Sequence, residues 1–206
     1  MAAGFRVWRR RLPHWEVRGG RYFITIRCAG SLPIALQRRL ESLCLPIENK
    51  ATEERAIETQ QRSYFRLLEK YLDEGSGFAP FATPSVARSG LQSMRRAFEK
   101  EGWAVGPIVM MPNHSHVIVR QLSDGDLECV MKRVKGRVAR ETNALLGRSG
   151  KFWQREWFDR LIRDDAEYAR TARYIRNNPV KAHLAAEGVA YAGYDAGSPD
   201  PRLVIR

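Results

Sequence analysis

The sequence predicts a fold that combines antiparallel β-strands with amphipathic helices, and three observations support this prediction. Two runs rich in valine and isoleucine flank Pro112-Asn113 within residues 104–120, which indicates two strands joined by a tight turn. Residues 21–28, RYFITIRC, form a further β-rich run. Elsewhere, apolar residues recur at helical spacing in several segments.

The helical segments are bounded by residues that begin or end helices. Pro84 stands where a first helical residue is expected, and Gly102 should end that helix. The stretch Ser123-Asp124-Gly125-Asp126 should supply a turn and a helix cap, and Asp164-Asp165 should cap the last long helix. Pro179 is expected to interrupt the last long helix, with a short helix after it. Helices are therefore predicted at about 34–45, 64–74, 84–101, 127–146 and 165–178, and a last strand within 152–163.

The chain has 206 residues, of which 44% are apolar, so one folded domain with a full core is expected. The predicted organisation is a basic N-terminal arm over 1–18, one domain over 19–188 and a C-terminal tail over 189–206. A polar stretch at about 46–60 is interpreted as an insertion in the domain. The tail is rich in turn-forming residues and is expected to pack loosely.

The chain is strongly basic, with 35 Lys and Arg against 23 Asp and Glu and a net charge of +12. This excess points to a polyanionic partner, most commonly nucleic acid, although a merely basic and solvated surface is the alternative. Candidate DNA-contacting residues lie in the arm and on two predicted helices. They are Arg9, Arg10, Arg11, Lys132, Arg133, Lys135, Arg137, Arg140 and Arg170.

Membrane and secretion signals are not expected in this sequence. No segment is long and apolar enough to span a bilayer, and the N-terminus lacks the apolar core of a signal peptide. Three cysteines far apart in the chain favour free thiols in a reducing compartment. We therefore expect a cytoplasmic protein, associated with the nucleoid if DNA is its partner.

Two histidines, His114 and His116, open the second strand of the predicted hairpin. Side chains two residues apart in a strand point to the same face, so both imidazoles can converge on one point while Ser115 faces the other way. Two neutral imidazoles held on a rigid strand are good metal ligands. Taken alone, the pair could equally be incidental histidines on an edge strand.

Tyr174 and Asn178 lie four residues apart on the predicted helix before Pro179, so they share one helical face with Arg170. A phenol, an amide oxygen and a cation on one face would complete a two-histidine metal site if the helix lies against the sheet. Each residue has an alternative role: Tyr174 could be a packed aromatic residue, and Asn178 could cap a helix that follows Pro179.

Four segments, taken in order, resemble the motifs of the single-tyrosine transposases that carry the His-hydrophobic-His motif. MMPNHSHVIV (110–119) resembles their two-histidine motif, and ARYIRNNPVKAHL (172–184) resembles their tyrosine motif. FWQREWFDRLIRD (152–164) and GGRYFITIRCAGSLP (19–33) fit the subgroup of REP-associated tyrosine transposases. The similarity extends over about 14–188.

The resemblance implies an α+β fold with a ferredoxin-like antiparallel sheet and a bound divalent ion, Mg²⁺ or Mn²⁺. Matched position by position, His114 and His116 become metal ligands, Asn178 the third polar ligand and Tyr174 the nucleophile. Two departures stand out. Ser115 replaces an apolar residue that does not face the ligands, and the tail lacks the family's Trp-Ser-Ser, which leaves its DNA contacts in doubt.

The implied chemistry is cleavage of single-stranded DNA, often beside a hairpin. A metal ion would neutralise phosphate charge while Tyr174 attacks phosphorus, helped to lose its proton by the metal or by Arg170. The products would be a 5′-phosphotyrosine and a free 3′-OH. Because the ester retains the bond energy, a second 3′-OH could complete strand transfer without ATP.

Three other interpretations remain. The chain could bind DNA hairpins without cleaving them. It could be a cupin-like metalloenzyme, for which the remaining histidines, His14 and His183, do not lie on convincing strands. It could be a two-tyrosine nuclease, although Tyr168 and Tyr174 are six residues apart and point to different sides of a helix. Whether the protein is a monomer or a homodimer stays open, as does whether Tyr174 serves its own metal site or a partner's.

Overall fold

The computed structural model describes residues 5–9, 12–43, 53–74, 77–197 and 203. Within these residues, seven strands and five α-helices follow one another along the chain, and a short 3-10 helix at Pro80–Ala82 precedes α3. The order is β1 (Phe5–Arg9), β2 (Pro13–Val17), β3 (Arg21–Arg27), α1 (Ile34–Ser42), α2 (Glu53–Asp73), α3 (Pro84–Lys100), β4 (Trp103–Met111), β5 (His114–Gln121), α4 (Leu127–Leu145), β6 (Phe158–Ile162), α5 (Asp165–Lys181) and β7 (Tyr194–Asp195).

The described strands form a main sheet of order β6-β3-β5-β4-β7 and a separate hairpin of β1 and β2. Every neighbouring pair in the main sheet is antiparallel. Without β7, the sheet is built from two units, each a strand, a helical connection and a second strand. The first unit runs from β3 to β4, and the second runs from β5 through α4 to β6. This arrangement is the ferredoxin-like topology. The expected α+β fold with a ferredoxin-like sheet is therefore confirmed.

The main sheet is buried on both faces. Tyr22, Ile24 and Ile26 of β3 join the apolar cluster that includes residues of α3 and α4. Phe23, between them in the sequence, joins the second cluster, which includes residues of α2 and α5. Because alternate side chains of a strand point to opposite faces, the sheet separates an α3–α4 layer from an α2–α5 layer.

The hairpin of β4 and β5 has the predicted tight turn. Met111 pairs with His114, so Pro112 and Asn113 alone connect the strands, and the Asn113 carbonyl accepts a hydrogen bond from the Cys28 amide at 2.8 Å. This bond ties the turn to the end of β3. The first residues of β5 are thereby fixed against two neighbouring strands.

The prediction that Pro179 interrupts the last helix is wrong. Helix α5 continues to Lys181 with Pro179 inside it, and no separate helix follows among the described residues up to 197. Pro179 lies in the final turn, where its missing N–H costs a single helical hydrogen bond. The next carbonyls stay satisfied, because the amides of Ala182 and Leu184 donate to Asn178 and Pro179.

The C-terminal tail packs more closely than expected. Tyr194–Asp195 forms β7 at the edge of the sheet, and the Met110 amide donates to the Gly193 carbonyl at 2.7 Å. This segment is anchored by backbone pairing with β4. The turn-rich composition of the tail does not reveal that pairing. Likewise, α2 begins at Glu53, so part of the predicted insertion is helical, whereas 46–52 lie outside the described residues.

The N-terminal arm forms the β1–β2 hairpin, which packs on β6. Of the arginines predicted to contact DNA in the arm, Arg10 and Arg11 lie outside the described residues, and Arg9 is described only as part of β1. Trp153 and Trp157, which precede β6, are buried in the core. In the part of the chain that the structure describes, no helix has the length and apolar character to cross a bilayer.

Candidate metal site and nucleophile

The two histidines converge as the strand period predicts. His114 and His116 are both fully buried, and their Nε2 atoms lie 3.1 Å apart. The Nδ1 atom of His114 donates to the Asn113 side-chain oxygen at 2.7 Å, while the Asn113 amide nitrogen donates to the Leu72 carbonyl at 3.3 Å. Since Nδ1 carries the proton, the Nε2 lone pair of His114 is directed toward His116.

His116 is oriented in the same way by its neighbour across the sheet. Thr25 of β3 pairs with His116 in register, and its hydroxyl lies 2.8 Å from His116 Nδ1. Burial lowers the pKa of His114 to about 3. Burial, the adjacent His114 and the charge of Lys181 hold the pKa of His116 well below its usual 6.5. Lys181 also contributes to the low pKa of His114. Both imidazoles are therefore neutral, the state that binds a metal.

A third residue, the acid Glu69 of α2, completes the metal-ligand group and was not predicted from the sequence. Ligand atoms of Glu69, His114 and His116 all lie within 4.8 Å of one another, and Glu69 Oε1 is 3.4 Å from His116 Nε2. Burial raises the pKa of Glu69 to about 8; the neighbouring charge of Asp73 adds to this rise, whereas Lys181 and Asn178 oppose it.

A signal for Glu69 was present in the helical pattern. It lies between Phe65 and Leu72 at spacings of four and three, so it occupies a position on the apolar stripe of α2. A charged residue on such a stripe is rarely buried without a partner. Glu69 is 6% exposed, and both of its carboxylate oxygens lack a hydrogen-bond partner among the described residues.

Asn178 is brought to the same place by α5. It is 1% exposed, and neither its Oδ1 nor its Nδ2 has a hydrogen-bond partner of normal geometry within the described ranges. It lies close enough to Glu69 to lower the pKa of that carboxyl. The alternative role of Asn178 as the cap of a following helix does not hold, because α5 runs on past it.

These side chains fit a divalent cation. If two nitrogens each lie about 2.1 Å from one ion and the two bonds to it form a right angle, the nitrogens are about 3 Å apart. The separation of the two Nε2 atoms is close to this distance. Two lone pairs at this distance repel each other unless a proton or a cation lies between them. Unpartnered oxygens of Glu69 and Asn178 nearby supply the hard ligands that Mg²⁺ and Mn²⁺ prefer.

The Tyr174 hydroxyl lies 3.4 Å from His116 Nε2. Its half-buried ring contacts Phe23 and Phe65 edge-on, with centroid distances of 5.8 and 5.9 Å. Tyr168 lies elsewhere: the Arg21 guanidinium is 5.2 Å from the centroid of its ring. The geometry thus separates the two tyrosines as their spacing predicted.

An open groove of 820 Å³ leads to this group between α2, α5 and β6. It is lined by aromatic residues and by more cations than acids. The aromatic residues are Trp15, Phe23, Phe65, Phe158 and Tyr174, the cations are Arg62, Arg66, Lys70, Arg160, Arg163, Arg170 and Lys181, and the acids are Glu58, Glu69, Asp73 and Glu167. Among the residues predicted to contact DNA, only Arg170 lies in this groove within the described chain.

Apart from Arg9 of β1, the other described candidates lie on α4, in the opposite layer. Lys135 donates to the carbonyls of Gln154 and Arg155, each at 2.7 Å, so its ammonium holds the loop before β6. Arg133 forms an ion pair with Glu101 at 2.7 Å. Lys132, Arg137 and Arg140 line a second groove, between α3 and α4.

Residues 81–178 match a family model described as transposase, IS200-like. The matched range contains both histidines, Tyr174 and Asn178, but not Glu69. A solved structure of a REP-associated tyrosine transposase bound to a REP hairpin is similar to the chain with a TM-score of 0.47 and 15% identity, over 94% of this chain and 97% of that one. No curated protein shows significant sequence similarity.

Proposed function

We propose that this chain is a metal-dependent transposase that cuts and rejoins single-stranded DNA, a proposal supported by the match of residues 81–178 to the IS200-like transposase model. The observation that carries the proposal is the position of the Tyr174 hydroxyl beside His116 Nε2, in a buried group of two histidines and a glutamate. An aromatic and basic groove opens onto that group.

His114 and His116 would hold the divalent ion, Mg²⁺ or Mn²⁺, with Glu69 and Asn178 as the oxygen ligands. When bound, the ion supplies positive charge that neutralises phosphate oxygens and makes phosphorus more electrophilic. Asn113 and Thr25 keep the two imidazoles in the orientation that ligation needs, through their hydrogen bonds to the Nδ1 atoms.

Tyr174 is the nucleophile. Its oxygen forms a bond to phosphorus, the bond from phosphorus to the DNA 3′ oxygen breaks, and the 3′ oxygen takes up a proton. The phenol proton leaves to solvent, and nearby positive charge favours its loss. Arg170 and Lys181, four residues before and seven after Tyr174 on α5, both line the groove and supply such charge. The phosphotyrosine ester can then be attacked by another 3′-OH, which restores the phenol.

The groove favours single-stranded DNA. A single strand exposes both phosphates and unstacked bases, and the groove offers cations for the first and aromatic rings for the second. By resemblance to the family, the strand would lie beside a DNA hairpin. DNA as the substrate would place the protein at the nucleoid, in the cytoplasm.

The test is denaturing electrophoresis of the protein with end-labelled single-stranded DNA that carries a hairpin, with Mn²⁺ or with a chelator. We expect a covalent adduct that needs Mn²⁺ and is abolished in Tyr174→Phe. Tyr168→Phe is the matched control, since it removes a hydroxyl from the same helix, and it should keep the adduct. Tight binding without any adduct across a panel of hairpins would instead support a binding protein that does not cleave.

A further inference from the structure

We infer that Asn113 is a positioning residue that uses the terminal carbonyl of α2 to hold His114 in the tautomer with Nε2 free for an ion. The inference deepens the proposed function and rests on it, because it concerns the same metal site. Asn113 is 1% exposed and lies in the turn between β4 and β5, immediately before His114. Contacts within the protein, and not solvent, therefore set the direction of its side chain.

The backbone of this turn is held from two sides. The Cys28 amide donates to the Asn113 carbonyl at 2.8 Å, and the Phe81 amide donates to the Pro112 carbonyl at 3.0 Å. Moving either peptide would break a hydrogen bond to a buried residue. Rotation of the Asn113 side-chain amide is thus the main freedom left beside His114.

The end of α2 decides which way that amide faces. Helix α2 ends at Asp73, so the Leu72 carbonyl is one of the terminal carbonyls that have no amide partner within the helix. The Asn113 Nδ2 atom donates to this carbonyl at 3.3 Å. If the amide were reversed, its oxygen would face the Leu72 carbonyl, and two acceptors would meet without a proton between them. The amide oxygen is consequently directed toward His114.

Two acceptors compete for the ring proton of His114. A neutral imidazole has one N–H; here Nδ1 lies 2.7 Å from the Asn113 oxygen, and Nε2 lies 3.1 Å from His116 Nε2. A proton on Nε2 would point at His116 and occupy the place where the ion must bind. The shorter contact, to an amide oxygen, favours the proton on Nδ1. Asn113 therefore selects the form of His114 that can bind a metal.

Thr25 does not make the same selection for His116. Its hydroxyl lies 2.8 Å from His116 Nδ1, and a hydroxyl can either donate or accept. An amide whose nitrogen is directed to Leu72 can only accept from His114. Of the two histidines, His114 is thus the one whose tautomer is imposed by its neighbour.

Helix α2 contributes to the site twice. It carries Glu69, whose carboxylate belongs to the metal-ligand group, and three residues later its Leu72 carbonyl orients Asn113. Both contributions come from the C-terminal end of the helix. The docking of this end against the β4–β5 turn therefore places one ligand and sets the tautomer of another at the same time.

Nuclear magnetic resonance tests the tautomer without DNA or catalysis. The full chain, labelled with nitrogen-15 in its histidines, is measured with a chelator present, and the signals lost in His114→Gln identify His114. Long-range correlations between ring nitrogens and carbon-bound ring protons show which nitrogen carries the proton. We expect Nδ1–H in the unaltered protein and in Asn113→Asp, whose carboxylate still accepts. In Asn113→Ala the proton should move to Nε2.

Metal affinity gives a second readout. Asn113→Ala should weaken Mn²⁺ binding by about 10- to 100-fold in a calorimetric titration, because a partner that orients a ligand is lost. Asn113→Asp should recover most of that loss, although it too lacks the donor to Leu72. A merely structural role for Asn113 would weaken both variants alike.

Gln61→Ala is the matched control. The Gln61 Nε2 atom also donates to a backbone carbonyl at 3.3 Å, but that carbonyl belongs to Asp159, so this amide ties α2 to β6 and not to the turn. Its removal should leave the His114 tautomer and the Mn²⁺ affinity as they are in the unaltered protein. Amide exchange over Glu69–Asp73 should be faster in both Asn113 variants, since each has lost the bond to Leu72.

The unaltered protein alone can overturn the inference, so the test does not depend on the folding of a variant. A proton on Nε2 of His114 in the unaltered protein would overturn it. So would an unchanged tautomer in Asn113→Ala, equal losses of Mn²⁺ affinity in the two Asn113 variants, or unchanged exchange at the end of α2. If the expected pattern appears without a Tyr174 adduct, the nuclease proposal fails while this inference stands.

Discussion

Lys181 donates to Asp73 at 2.5 Å and so links the helix that carries Glu69 to the helix that carries Tyr174 and Asn178. Lys181 lies three residues after Asn178 on α5, and Asp73 lies four after Glu69 on α2. The charge of Lys181 also lowers the pKa of His114, His116 and Glu69. This cation is therefore near every group that would hold the metal.

Replacing Lys181 by Met should slow formation of the phosphotyrosine adduct by at least about tenfold, because positive charge beside a reacting phosphate stabilises the transition state. The same change should strengthen Mn²⁺ binding, since it removes a cation that repels the ion. Single-turnover adduct formation and calorimetric Mn²⁺ titration measure the two effects. Lys70→Met, which removes another lysine from the same groove, is the control. Equal behaviour of the two variants would contradict the prediction.

Replacing Glu69 by Gln should weaken Mn²⁺ binding by about 10- to 100-fold, because the change removes the negative charge and one strong oxygen ligand from the group. Calorimetric titration of Mn²⁺ into the purified protein measures this. Glu58→Gln is the matched control: it lies in the same helix and groove but pairs with Arg62 and Arg163. If both variants bind Mn²⁺ as the unaltered protein does, Glu69 is not a ligand.

Much of the fold and most of the site residues follow from the sequence, and the remainder depends on contacts that sequence patterns do not encode. The shared direction of His114 and His116 follows from the period of a strand, and that of Tyr174 and Asn178 from the period of a helix. Placing Glu69 required knowing that α2 lies over β5, a contact between elements about 45 residues apart. The pairing of β7 with β4 likewise joins segments that carry no pattern of their own.

A buried ion pair holds the N-terminal hairpin to β6. His14 of β2 pairs with Asp159 through Nδ1 and with Glu156 through Nε2, the latter at 3.1 Å. Although burial alone would lower the pKa of His14, the two carboxylates raise it to about 9. No sequence pattern connects residues 145 positions apart. This histidine is thereby a structural group and not a metal ligand of a cupin-like site.

The stabilising effect of His14 should depend on pH. Because its pKa is higher in the folded protein than the usual 6.5, its contribution is fully present below about pH 6.5 and is lost as the pH rises through about 9. Urea unfolding of the unaltered protein and of His14→Gln should therefore differ most at pH 6 and least at pH 10. His183→Gln, which changes an exposed histidine, should follow the unaltered protein throughout. A His14→Gln effect that does not vary with pH would contradict this assignment.

Tyr174 should serve the metal site of its own chain. Its hydroxyl is 3.4 Å from the His116 of the same chain, and the neighbouring Ile175 is fully buried in the apolar cluster between α5 and the sheet. Detaching α5 from its own sheet would expose that side chain, which costs about 1.5–3 kcal/mol for a residue of this size. Mixing His116→Ala with Tyr174→Phe should therefore restore no adduct, whereas a nucleophile supplied by a partner would reconstitute up to a quarter of the sites. Mixing each variant with the unaltered protein controls for exchange of subunits. Adduct formation in the mixture of the two variants would show that the tyrosine acts in trans.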